Sequence, residues 1–169
     1  MKVNIKQLSK FLIKAKINTY ASSGEGGERI LPDGSKEFEF KEKEFKYRDR
    51  YFGFNPFIGE EMVLKNTKAV WGMNYYGGTI SETVPAKSIY QFLQKALREI
   101  SELKPFRGPK KFIEGDFEYF NNSEGILERF KGSEKIFYKK QEVYTSDYHG
   151  GLMKAKILKD AEEFRKKYK

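Results

Sequence analysis

Cysteine is absent from the chain. That removes thiol nucleophiles, zinc–thiolate sites and iron–sulfur ligation together, and it suits a reducing cytoplasm. Histidine occurs once, as His149, and a lone histidine without cysteines builds no metal site, so neither metal nor cofactor is expected. Long apolar runs are also missing. Met1 to Lys16 alternates charges with short apolar groups and contains no signal-peptide core or membrane span, which predicts a cytoplasmic protein with no membrane partner. No serine or threonine stands at a recognisable spacing from a second base, so no catalytic residue is assigned.

What is plentiful is charge and aromatic surface. Thirty-three basic against 24 acidic side chains leave a net charge of +9, which points to a solvated surface or to a polyanion partner. The surplus is thinly spread: residues 1–83 carry 14 basic and 11 acidic groups, residues 84–169 carry 19 and 13. The abundance of Lys and Glu with few Gln fits a heat-adapted source. At 169 residues the chain is expected to form one domain, 1–169, burying about 70 % of its unfolded surface without a disulfide or metal staple. Its 27 aromatic side chains must then mostly lie in the core.

Two stretches resemble each other. Val70-Trp71-Gly72-Met73-Asn74-Tyr75-Tyr76-Gly77-Gly78 recurs in degraded form at Val143-Tyr144-Thr145-Ser146-Asp147-Tyr148-His149-Gly150-Gly151. Gly59 precedes Gly77 by 18 residues, and Gly132 precedes Gly150 by the same interval. Upstream, Phe45-Lys46-Tyr47 aligns with Phe117-Glu118-Tyr119, and Phe11-Leu12 with Phe92-Leu93, each followed by Ala three residues after the Leu. The chain therefore reads as an internal repeat, approximately 4–78 and 85–151.

Asn4 and Gln7 have the spacing of a helix cap before the stripe Leu8, Phe11, Leu12, Ala15. Residues 19–35 read as a loop ending in a turn at Pro32-Asp33-Gly34-Ser35; its Gly24-Glu25-Gly26-Gly27 lacks the Gly-Lys-Ser/Thr ending of a phosphate cradle. Period-two alternation predicts strands through Phe38–Phe40, Phe45–Tyr51, Glu61–Lys65 and Lys68–Tyr76, with Trp71, Met73 and Tyr75 facing the core. A second helix is expected from Thr83-Pro85 to Leu103, then strands at Asp116–Phe120, Gly125–Phe130, Glu134–Lys139 and Glu142–His149. A basic amphipathic helix, 153–168, closes the chain. The predicted fold is α+β: two α-β-β-β repeats forming an antiparallel sheet packed by two helices about a pseudo-twofold, plus the C-terminal helix. A site is expected between the halves.

Arg48-Asp49-Arg50-Tyr51, the Trp71-to-Gly77 stretch, Pro105-Phe106-Arg107-Gly108-Pro109 and Tyr148-His149-Gly150-Gly151 together resemble an uncharacterised prokaryotic family, domain-of-unknown-function family 5680, from about Leu12 to Lys154. The resemblance implies a domain found alone or C-terminal to a repressor-type helix-turn-helix, hence a sensor-like or interaction role. Met1 directly precedes the first helix, so no DNA-reading module is expected ahead of it. The resemblance implies no activity, substrate or catalytic residue.

The candidate ligand-binding residues are Arg48, Arg50, Tyr76, Arg107 and His149. Arg48 and Arg50 share one strand face, where two guanidinium groups suit a small anion or else pair with surface glutamates, and Arg107 on its proline-fixed turn is expected to join them. His149 matches Tyr76 in the other copy and reads either as an acid–base group, the role an imidazole suits, or as a strand-end residue before Gly-Gly. The leading expectation is a non-enzymatic small-molecule-binding or regulatory interaction domain taking a small anionic ligand. The alternative is nucleic-acid binding through the net charge and the last helix, and a third is a hydrolase or isomerase pairing a carboxylate with His149. Oligomeric state is left open.

Overall fold

A computed structural model describes residues 3–23 and 27–153. The first helix, α1 (Ile5–Ile17), opens on Asn4, whose Oδ1 accepts from the Gln7 N–H at 3.1 Å and so satisfies one of the donors a helix start leaves unpaired. Leu8, Phe11, Leu12 and Ala15 are all buried, so one stripe of α1 faces the core, and each large side chain contributes about 2 kcal/mol. The expected loop at 19–35 contains two short elements, helix α2 (Tyr20–Ser23) and strand β1 (Arg29–Ile30). Its turn forms as expected: Gly34 sits at φ +81°, its N–H reaches Leu31 O at 2.9 Å, and Asp33 Oδ1 accepts from the Ser35 N–H.

Four strands follow, β2 (Lys36–Glu42), β3 (Phe45–Gly53), β4 (Phe57–Lys65) and β5 (Lys68–Thr79); after helix α3 (Ala86–Arg98) come β6 (Lys111–Glu114), β7 (Phe117–Ile126), β8 (Arg129–Tyr138) and β9 (Gln141–Leu152). All pair antiparallel in one sheet of order β1-β2-β3-β4-β5-β9-β8-β7-β6, an α+β arrangement that is mostly sheet. Five strands of the sheet thus follow α1 and four follow α3, where three each were expected. Lys111–Glu114 was not expected, and Gly125–Phe130 is not one strand but the tip of a hairpin, in which β7 ends at Ile126, Leu127-Glu128 make the turn and β8 begins at Arg129. Helix α3 stops at Arg98, short of the expected Leu103, and the chain beyond it carries Phe106 into the core against α1; Leu103 is 92 % exposed. The expected helix 153–168 lies outside the described residues from Lys154 onward.

The hairpins β4–β5 and β8–β9 are built alike. Asn66-Thr67 and Lys139-Lys140 all have positive φ, the conformation of a two-residue turn matched to strand twist. The β4–β5 register slips between Val63 and Leu64, and the β8–β9 register between Ile136 and Phe137. Each bulge adds one residue to the longer strand, so that consecutive Val70-Trp71 and Val143-Tyr144 are buried. Gly59 lies opposite Tyr75 and Gly132 opposite Tyr148, and a Cβ at either glycine would collide with that tyrosine ring, so glycine is required there.

Both helices cover the same face of the sheet. One core cluster joins α1 to Tyr47, Val63, Trp71 and Met73; the other joins α3 to Tyr119, Ile136, Val143 and Tyr144. Phe106 and Phe130, from beyond α3, belong to the first cluster, where Phe130 stacks on Phe106 at 3.9 Å and on Trp71 at 5.7 Å.

Candidate functional site

The expected site residues fall on both sides of the sheet. Arg48 and Arg50 project from β3 on the face away from the helices: Arg48 Nη2 reaches Glu60 at 2.9 Å, while Arg50 Nε donates to Ser35 Oγ at 2.8 Å and its Nη2 to Asp33. Tyr76 and His149 are exposed on the same face. In one cross-strand row Arg50 opposes Glu60, Glu60 opposes Asn74, Asn74 opposes His149 and His149 opposes Lys131. Three strand spacings, about 14 Å, therefore separate Arg50 from His149. Tyr76 and His149 line a broad trough of about 1400 Å³ with Ile58, Lys131 and Asp147, yet Tyr76 remains 56 % exposed there. Arg107 is on the opposite side, buried beneath the helices, so the structure does not bring it to Arg48 and Arg50. The loop carrying it follows Phe106 inward, and strand parity says nothing about where a loop residue points.

Around Arg107 lies a buried polar cluster. Its Nε donates to Glu134 Oε2 at 2.8 Å, and Tyr119 OH donates to Glu134 Oε1 at 2.5 Å. Lys16 of α1 donates to Glu61 and, at 2.8 Å, to Phe106 O, while Arg107 Nη1 stands 3.9 Å from Glu61. Tyr75 OH donates to Asp49 Oδ1 at 2.6 Å; in the other half Tyr148 OH donates to Asn121 Oδ1 at 2.7 Å. These charges tolerate burial because each is paired or hydrogen-bonded, and removing one partner of such a pair costs about 3–5 kcal/mol. Burial, reinforced by the Glu61 charge, pushes the Asp49 carboxyl up to about 7, against the opposing pull of the Tyr75 hydrogen bond, Lys16 and Arg107. Burial lowers Lys16, with Glu61 opposing. Tyr47 and Tyr75 are raised well above the ordinary phenol range by burial first and carboxylate charge second.

Asp49 and Arg107 form the floor of a narrow cleft whose cavity volume is about 40 Å³. Tyr51, Phe57, Tyr75 and Tyr90 wall it, with Leu93 of α3 behind and Phe54 at the rim. The rings brace one another edge to face: Phe57 to Tyr75 at 5.9 Å, Phe57 to Tyr90 at 6.1 Å, Phe54 to Tyr90 at 5.3 Å. Tyr90 OH also donates to Phe54 O at 2.9 Å, tying α3 to the β3–β4 loop. A smaller cavity lined by Lys16, Tyr47 and Glu61 lies beyond the same Asp49 and Arg107.

Sequence reasoning missed Asp49, Glu61 and Glu134 as site residues although a signal was present. Asp49 shares strand parity with Phe45, Tyr47 and Tyr51, and Glu61 with Val63, so each is a charge on a core-facing position. Among the described residues no group of three or more His, Asp or Glu is placed to hold a metal, and no helix is long and apolar enough to cross a membrane. The lysines at 154, 156, 159, 166, 167 and 169, on which the nucleic-acid alternative rests, lie outside those residues.

A one-sided antiparallel sheet with an ionised cluster beneath its helices defines the class: an α+β domain with a polar core opening into an aromatic cleft. The chain belongs to a family described as domain of unknown function (DUF5680), which matches residues 49–153 and so takes in Asp49, Glu61, Arg107 and Glu134. No curated protein and no solved structure matches it.

Proposed function

We propose that the protein is a non-enzymatic, small-molecule-binding domain of regulatory type whose ligand enters the cleft above Asp49 and Arg107. The observation that carries this is the meeting of an aromatic-walled concavity with two buried, oppositely charged groups at its floor, an arrangement that admits the head of a ligand and fixes its orientation. The trough of Tyr76 and His149 is larger, but a ligand there stays in water. The association with repressor-type helix-turn-helix modules, implied by the family resemblance, supports a sensor role in a prokaryotic cytoplasm.

The proposal includes a duplicated architecture. Tyr75 and Tyr148 oppose each other in the β5–β9 pair, and they are 73 residues apart. The same interval separates Asn66-Thr67 from Lys139-Lys140, Gly59 from Gly132, and Val63/Leu64 from Ile136/Phe137. An antiparallel pair has a local two-fold between opposed residues, so these coincidences support a pseudo-twofold axis between the two tyrosines. The cleft then lies where the copies have diverged, with Asp49 in one and Asn121 in the other.

A thermal-shift and native mass-spectrometry screen of metabolites tests the site. Ligands should bind one per chain and raise the melting point, and the rise should shrink in Asp49→Asn and in Phe54→Ala. Ligands whose effect survives both variants but is lost in Tyr76→Ala or His149→Ala would move the site to the open face. A broad library without a binder would leave only the interaction role.

A further inference from the structure

We propose that the cleft takes a small organic cation carrying a single aromatic ring, its charged head against the Asp49 carboxylate and the faces of Tyr51, Phe57 and Tyr75. This rests on the cleft being the binding site, and adds the chemistry of the ligand.

Charge balance carries it. The buried cluster holds two cations, Lys16 and Arg107, and three carboxylates, Asp49, Glu61 and Glu134. Lys16 pairs with Glu61 and Arg107 with Glu134. Among the described residues Asp49 enters no ion pair, and its hydrogen-bond partner is the neutral Tyr75 hydroxyl. An arriving anion would meet a guanidinium whose charge is already matched by Glu134 and a third carboxylate beside it. An arriving cation would supply the one charge the cluster lacks. The walls favour the same sign, since aromatic faces attract cations, most strongly where water is excluded. The Tyr75 ring already does so for Arg107, whose Cζ lies 5.6 Å from its centroid.

Binding of this kind is coupled to a proton. With its carboxyl held at about 7, Asp49 is partly protonated in the empty cleft at neutral pH, and a cation selects the ionised form and sends the proton to solvent. The charged groups facing Asp49 are Glu61 from β4, Lys16 from α1 and Arg107 from the loop after α3. The neighbouring phenols, Tyr47 on β3 and Tyr75 on β5, are raised and so stay neutral in this range. Affinity for a cation should therefore climb from pH 6 to pH 8 and then level.

Calorimetry on the full chain with three single-ring probes, phenyltrimethylammonium, benzyl alcohol and benzoate, tests the inference. Phenyltrimethylammonium should bind about tenfold or more tighter than the other two, with proton release near pH 7 visible in buffers of different ionisation heat. Asp49→Asn should bring it down to the level of benzyl alcohol; Asn121 accepting from Tyr148 indicates that asparagine fits such a position. Benzoate or benzyl alcohol binding as tightly as the cation, or a cation preference that survives Asp49→Asn, would overturn the ligand class and leave the cleft standing. No saturable binding by any probe at roughly 10 mM would overturn the class and the cleft together.

Discussion

Asp49 and Asn121 accept the same kind of hydrogen bond from a tyrosine one face of the sheet away from water, and differ in one ionisable proton. That proton makes Asp49 a liability for stability at neutral pH. Its carboxyl lies near 3.8 in an unfolded chain and at about 7 in the fold, so between those values the folded state holds a proton that the unfolded state has lost. The contribution is fully present below about pH 4 and is given up as pH rises through 7. Urea titrations of wild type and Asp49→Asn at pH 5 and pH 8 should show the variant gaining on wild type by up to about 3 kcal/mol across that range. A gap independent of pH would mean that Asp49 is ionised in the fold throughout.

At the scale of elements, the turns of β4–β5 and β8–β9 offer the sharpest contrast between conformation and residue type. Lys139 and Lys140 sit at φ 48° and 70°, and Thr67 at 68°, where L residues with a Cβ are strained. Lys139→Asn with Lys140→Gly should therefore raise stability by about 1 kcal/mol, read as a higher urea midpoint at unchanged slope; the lost Lys140–Glu118 contact is exposed and worth little. No change would imply that the turn relaxes in solution. Those lysines also show where legibility ends. The strands with clear alternation, such as Phe45-Tyr47 and Trp71-Met73-Tyr75, were readable, as were the Asn4 cap and the Gly34 turn, because each depends on residues close in sequence. Lys111–Glu114 was not, since its four residues owe their strand to pairing with β7, nor was the end of α3, set by Phe106 packing against a helix some 90 residues earlier. The candidate site split along the same line. The faces of Arg48, Arg50, Tyr76 and His149 follow from parity, whereas Arg107 sits on a loop whose direction is decided by tertiary packing.

For the whole molecule, the two core clusters are not independent. Trp71, the single tryptophan, is fully buried in the α1 cluster but stacks on Phe130, and Phe106, Leu127 and Tyr148 reach that cluster from beyond α3. Neither half can open without stripping rings from the other. Heating should give one transition, with Trp71 fluorescence and far-ultraviolet circular dichroism sharing a midpoint. A fluorescence midpoint several degrees below the dichroism midpoint would show the α1 side melting first. The ends of the sheet bear on a different property. The outermost strands, β1 and β6, have two and four residues, while the long strands are all interior. A neighbouring molecule seeking to extend the sheet finds only a few unpaired backbone groups at either end, and lysines at 110 and 111 beside one of them. Concentrated stocks should accordingly keep well, clouding little through freezing and thawing, and an insertion that lengthened β6 would be the change most apt to turn a clear solution into fibres.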